Sequence, residues 1–304
     1  MTAHGTAGEL RATIAVDSKC TLGESARWCA KTARLYWVDI EGARLLRFEP
    51  STGECSSWSM PERLATFALM ADAQIVLLGL ATQLAFFDLV TLDVTPIARI
   101  EPDLNTRMND GRCDRQGRFV FGTKDEADSP RPIGGFYRLN HDLSVERLPL
   151  PAPAISNSIA FSPDGSMMYF CDSPTREILA CDYGADGHVG APHRFARLDE
   201  ADGVPDGSTV DAEGGLWNAH WGAGRVVRYD AHGRETERVL VPARQPSCVA
   251  LGGARLDTLY VTTARMGLDA GALAQEPSSG GVFSAAVARR GLPEPVFEGT
   301  LRLK

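Results

Sequence analysis

A tight turn followed at once by an apolar strand recurs along this chain, and that repetition constrains the fold more than any other feature. It reads Lys31-Thr-Ala-Arg34 then Leu35-Tyr-Trp-Val38, and Asp114-Arg-Gln-Gly117 then Arg118-Phe-Val-Phe-Gly122. Two further copies are Pro163-Asp-Gly165 then Met167-Met-Tyr-Phe170, and Asp211-Ala-Glu-Gly214 then Gly215-Leu-Trp217. Weaker copies sit at Ala71 to Leu78 and Arg255 to Val261, which makes six. Gly, Asp and Asn recur in these turns because they accept a positive φ at little cost. A second short strand follows each unit, as in Arg44 to Phe48, Gln83 to Phe87, Gly135 to Leu139, Glu177 to Cys181, Arg225 to Tyr229 and Gly281 to Ser284. No stretch carries a sustained 3.6-residue apolar period, so the chain is read as all-β.

Spread over 304 residues, six units average about 51 residues each, close to the ~40–50 of a four-stranded propeller blade. The expected fold is a six-bladed β-propeller in one domain spanning 1–304, with 1–11 a flexible lead-in. The strand Ala12 to Val16 is expected to close the ring beside the last blade. A large β-sandwich is the alternative, but it does not predict such even spacing.

Composition narrows the function classes. The formal charge is −8, with 39 acidic against 31 basic residues and no basic cluster, which disfavours nucleic acid and anionic membranes as partners. The longest apolar run, about Ile75 to Ala81, is far short of the ~20 residues that span a bilayer. With no secretory pattern at the start, a cytoplasmic protein is expected. The seven cysteines are scattered without C-x-x-C spacing, which suits reduced, buried thiols.

Spacing also marks a site. Counting back eight residues from Gly117, Gly165 and Gly214 reaches Asn109, Asn157 and Asp206, at intervals of 48 and 49. The same offset from the first turn reaches Glu24. Any one such residue could be a turn former. Four oxygen-bearing side chains at matching repeat positions instead predict convergence on one mouth of the central channel. Two carboxylates with one or two amide carbonyls suit a divalent cation such as Ca²⁺, Mg²⁺ or Mn²⁺, and Zn²⁺ or Fe²⁺ if water completes the shell. The six histidines lack metal-ligand spacing, and only His220 follows an inner-blade segment and could face the pocket. There is no G-x-S-x-G elbow and no P-loop. Trp28, Trp37, Trp217 and Trp221 are expected mainly to pack blades, with one or two lining the site.

At these residues the chain resembles the gluconolactonase/regucalcin/luciferin-regenerating group, also called senescence-marker-like proteins. The resemblance is carried by Leu22-Gly-Glu24, Trp37-Val-Asp39, Arg107-Met-Asn109-Asp-Gly111, Gly122-Thr123, Asn157 to Gly165, Pro205-Asp206-Gly207, Trp221 to Asp230 and Leu259 to Arg265. It runs in order from about residue 10 to 300. It implies a single divalent metal held by Glu24, Asn157 and Asp206, with Asp206 also the general base. Arg107 and Asn109 match the residues that hold the lactone's hydroxyls and carbonyl, and Glu126 lies where a further substrate contact is expected. The segment Thr123-Lys-Asp-Glu126 departs from the small and apolar residues usual there, and Ser25-Ala26 replaces a common Gly-Pro.

The implied chemistry is hydrolysis of a sugar aldonolactone to its aldonic acid in an oxidative pentose or hexose route. The metal polarises the carbonyl and Asp206 assists the attacking water. A monomer acting on a small molecule is expected. The alternatives are a phosphotriesterase-like hydrolase and a non-catalytic calcium-binding propeller.

Overall fold

The computed structural model describes residues 10–300 and contains six sheets, each a ring sector built on four antiparallel strands, with a fifth, parallel strand added to one of them. The innermost strands are Gly23–Cys29, Leu64–Leu69, Thr106–Cys113, Ser156–Phe161, Val204–Val210 and Pro246–Gly252. They are buried almost throughout because both faces are covered by neighbouring blades, even where, as in Thr106–Cys113 and Val204–Val210, they carry polar residues. The outermost strands, such as Glu54–Ser59 and Glu235–Leu240, are largely exposed or half-buried and carry charged residues that discourage edge pairing.

The ring closes as expected. Thr13–Val16 pairs antiparallel with Val282–Ala286 and supplies the sixth blade's outer strand. Of the lead-in 1–11, residues 1–9 lie outside the described residues. Leu10–Arg11 is not loose: it runs parallel to Val239 and Leu240 as a fifth strand on the preceding blade. One end of the chain therefore clasps two blades, so opening the ring would break both contacts.

The recurring turns are built alike. Gly117, Gly165 and Gly214 have φ of 73°, 74° and 84°, the left-handed region that glycine enters freely. In the first blade this place is taken by Ala33 at φ 53°, nine residues after Glu24 rather than eight. Asp211 shows what a turn aspartate does. Its carboxylate accepts from the Gly215 and Glu213 backbone N–H groups at 2.9 and 3.0 Å, from Trp217 Nε1 at 2.9 Å and from Arg228 Nε at 2.6 Å, all out of solvent. Asp114 repeats the pattern with Arg118 and Tyr183. Asp211→Ala strands a buried guanidinium and indole N–H, so urea denaturation should show a loss of about 3 kcal/mol. A change below about 1 kcal/mol would mean that solvent reaches the turn.

The far end of the channel is sealed by the chain's last described stretch. Glu294 sits 3.2 Å from Arg27 Nε and 3.4 Å from Arg112 Nη1, two arginines projecting from inner strands of different blades. Phe297 is buried against the second blade, its N–H donating to Leu69 O at 2.8 Å. The open end is thus the mouth where the spaced polar residues lie.

Candidate functional site

Each inner strand breaks register near the mouth. The shifts fall between Glu24 and Arg27, Met108 and Gly111, Asn157 and Ala160, and Pro205 and Ser208, with counterparts in the other two blades. A bulge re-aims the side chain beside it, and here it turns each spaced residue into the channel. The residue after each metal-ligand candidate bears the strain. Ser25 and Ser158 adopt φ of 52° and 64°, and Gly207 has Cys248 Sγ only 2.7 Å from where a Cβ would stand. Ser25 therefore holds a left-handed turn without glycine, at a cost of about 1 kcal/mol.

Glu24, Asn109, Asn157 and Asp206 line one cavity of about 180 Å³, together with Arg107. The spacing argument located all four. The cavity is smaller than the ~300–1,000 Å³ of drug-sized pockets and suits a small monocyclic ligand. Leu22, Ile40, Ile155, Val204, Trp221 and Met266 form an apolar wall. Trp221 is thus a lining residue, whereas Trp37 and Trp217 are core and Trp28 stacks on Tyr260 with centroids 5.7 Å apart.

A hydrogen-bond relay orients the polar groups. Arg107 Nη1 donates to Asn109 Oδ1 at 2.8 Å, and Asn109 Nδ2 donates to Asn157 Oδ1 at 3.0 Å. Asn157 Nδ2 donates to Ser173 Oγ at 2.9 Å, and that hydroxyl donates to Pro205 O at 2.7 Å. The relay spans three blades and fixes the Asn157 amide with its oxygen toward Asn109, leaving that oxygen a second lone pair. Asn218 Nδ2 holds the Asp206 backbone carbonyl at 2.8 Å.

The two cavity carboxylates are short of counter-charge. Among the described residues no basic group lies within 4.0 Å of Glu24 or Asp206. Burial, and then the neighbouring Asp110 carboxylate, push Glu24 up to about 8. Burial and then Glu24 raise Asp206 well above the ordinary range. Like charges held this close and this dry call for a cation or for protons. The donor set, two carboxylates and an amide oxygen, fits a hard divalent ion. Among the described residues no group of three His, Cys, Asp or Glu has metal-holding geometry.

The other candidates fall outside the cavity. Glu126 is at the rim, where Arg63 grips both its oxygens at 2.7 Å and Arg107 Nε stands 3.6 Å away. His220 does not line the cavity. It is buried with Nε2 at 3.0 Å from Tyr229 Oη, and burial pulls it down to about 4, so it is a neutral packing residue. Spacing from the turn glycines missed Lys124 and Ser173, which come from second strands and the loops after them. The departure of Lys124 from the usual apolar residue was its only signal.

The chain is similar to known proteins along most of its length. Residues 22–265 match the family model described as SMP-30/Gluconolactonase/LRE-like region. An L-arabinolactonase of Azospirillum brasilense is 57% identical over 96% of this chain and 97% of its own. A pentonolactonase of Haloferax volcanii is 36% identical over 96% and 99%. Among solved structures, a calcium-binding regucalcin from Agrobacterium tumefaciens superposes with a TM-score of 0.90 at 29% identity, covering 95% of this chain and 98% of its own.

Proposed function

Because the chain belongs to the SMP-30/gluconolactonase/LRE-like family, we propose that it is a metal-dependent lactonase for five-carbon aldonolactones, with an L-arabino-configured lactone its foremost substrate. The reaction class is carboxylic-ester hydrolysis at a sugar lactone. One observation carries the reading: two buried carboxylates without a cationic partner flank an amide oxygen in a cavity the size of a small sugar ring. The similarity to an L-arabinolactonase and a pentonolactonase supports the five-carbon class. The route is one in which a sugar dehydrogenase supplies the lactone. The protein acts as a cytoplasmic monomer, a setting that suits its seven free cysteines, six of them buried.

Glu24, Asn157 and Asp206 hold the divalent ion, which when bound polarises the lactone carbonyl as a Lewis acid. Asp206 accepts a proton from the attacking water. Arg107 donates to the lactone's oxygens, and Asn109, whose Nδ2 already serves Ser156 O and Asn157 Oδ1, offers the second lone pair of its Oδ1 to a lactone hydroxyl. The apolar wall beside Trp221 covers the ring's carbon face and limits access of bulk water. Glu126 contacts the substrate's outer hydroxyls from the rim. Glu126→Gln removes one partner of a partly exposed ion pair, so KM should rise roughly fivefold with kcat little changed.

The test is pH-stat turnover on γ- and δ-aldonolactones, comparing chelated protein with protein refilled by Ca²⁺, Mg²⁺, Mn²⁺, Zn²⁺ or Fe²⁺. Cation-dependent turnover that favours pentonolactones supports the assignment. If no lactone opens faster than it does spontaneously while calorimetry still detects tight cation binding, the non-catalytic calcium-binding reading takes over. A preference for phosphotriesters would favour the phosphotriesterase-like alternative.

A further inference from the structure

Lys124 is a cavity cation that no carboxylate among the described residues reaches at salt-bridge distance. It stands directly across the strand pair from Arg107, with Cα atoms in register, and both line the cavity. Like charges facing one another in antiparallel strands repel and destabilise the pair. Arg107 is relieved by Glu126 at 3.6 Å and Glu41 at 4.0 Å. Among the described residues Lys124 has no carboxylate within 4.0 Å and makes no side-chain hydrogen bond. Burial and the facing Arg107 pull its pKa below the ordinary lysine value, as expected of an ammonium short of counter-charge. Glu126, then Glu41, then Asp206 across the cavity oppose that pull, each from beyond salt-bridge distance.

An ammonium kept half-buried against a second cation destabilises the fold unless negative charge arrives in the cavity. A neutral lactone brings none. Its hydrolysis creates it twice, first on the carbonyl oxygen when water adds, then on the carboxylate of the open acid. We propose that Lys124 is a catalytic residue whose ammonium donates to the oxygen that becomes negative as water adds, and that it afterwards holds the product carboxylate. Water's oxygen bonds to the carbonyl carbon while Asp206 accepts its proton. The carbon–ring-oxygen bond then breaks, and that proton passes to the departing alkoxide, leaving acid and alcohol balanced against lactone and water; the acid then releases its proton to solvent, leaving the carboxylate. Lys124 supplies charge throughout and exchanges no proton. Interactions made only as charge develops raise kcat rather than lower KM. This inference rests on the lactonase reading, and the experiment separates the two.

The test uses the cation-loaded protein and Lys124→Met, which keeps the length and removes the charge, with Lys124→Arg as the conservative control. Turnover of L-arabinono-1,4-lactone and calorimetric binding of L-arabinonate are measured on each. Lys124→Met should lose at least ~10-fold in kcat with KM within about twofold. It should also bind arabinonate at least ~10-fold more weakly, and Lys124→Arg should recover most of both. A change confined to KM, or unaltered arabinonate binding with a normal kcat, would overturn the proposal. If Lys124→Met does not fold, Lys124→Gln gives the same readouts. Should the unaltered protein open no lactone at all, the lactonase reading itself falls. Arabinonate binding that still depends on Lys124 would then mark an acid-binding site without turnover.

Discussion

Asp206→Asn is expected to lower kcat on an aldonolactone by ~10³-fold or more while leaving the far-ultraviolet circular dichroism unchanged. The loss is large because, on the proposed mechanism, one carboxylate serves twice, as a ligand to the cation and as acceptor of water's proton. Asn keeps the size of the side chain and its place in the inner strand, whose backbone is pinned independently by Asn218 at the Asp206 carbonyl. The fold should therefore survive the change. Titrating the cation separates the two roles. If Asp206→Asn regains near-normal kcat at saturating cation, Asp206 is a ligand only and the base lies elsewhere. If kcat stays low with the site filled, proton acceptance is the lost step.

Removing the cation should abolish turnover and also reverse how stability responds to pH. In the cation-free protein Glu24 is pushed from 4.5 up to about 8, by burial first and the Asp110 charge second, and Asp206 is raised in the same direction. A carboxyl whose folded pKa is raised binds its proton more tightly folded than unfolded. Its contribution is present in full below the unfolded value and is lost as pH rises through the folded one. The cation-free melting temperature should thus fall between about pH 4.5 and 8. A divalent cation must displace those protons, so the rise in melting temperature that it brings should be larger near pH 8 than near pH 5.5. Thermal melts with and without chelator across this window are the check. A flat cation-free profile would mean that both carboxylates are already ionised, and the charge-frustrated picture of the site would have to be abandoned.

Much of this was readable before folding because a propeller writes its geometry into the chain at a fixed interval. Turn glycines at 117, 165 and 214 mark where each inner hairpin reverses, and all three are left-handed in the structure. Positions a constant distance upstream must then fall at the same height in successive blades. That is why Asn109, Asn157 and Asp206 could be grouped from spacing alone, and why Glu24 joined them although its turn is one residue longer. The second and sixth blades add no member to the set; their inner strands carry Leu64-Ala-Thr66 and Pro246-Ser-Cys248 instead.

What lay off that register was not readable. Lys124 reaches the cavity from the second strand of its blade and Ser173 from the turn after another, where the repeat offset carries no information. Glu126 illustrates the opposite failure of resolution. It comes from the expected segment, but whether it points inward or pairs with Arg63 is decided by a loop from a different blade. His220 seemed able to face the pocket, yet cross-strand packing against Tyr229 turned it into the core.

Six blades and the four oxygen-bearing side chains of the cavity were legible in the chain, because both follow from local turn chemistry repeated at one interval. The electrostatics of the site arise only on folding. The potential at Glu24 and Asp206 depends on burial and on Asp110, Arg107 and Lys124, which share one blade while Glu24 and Asp206 belong to two others, so all five are near neighbours only once the ring has closed.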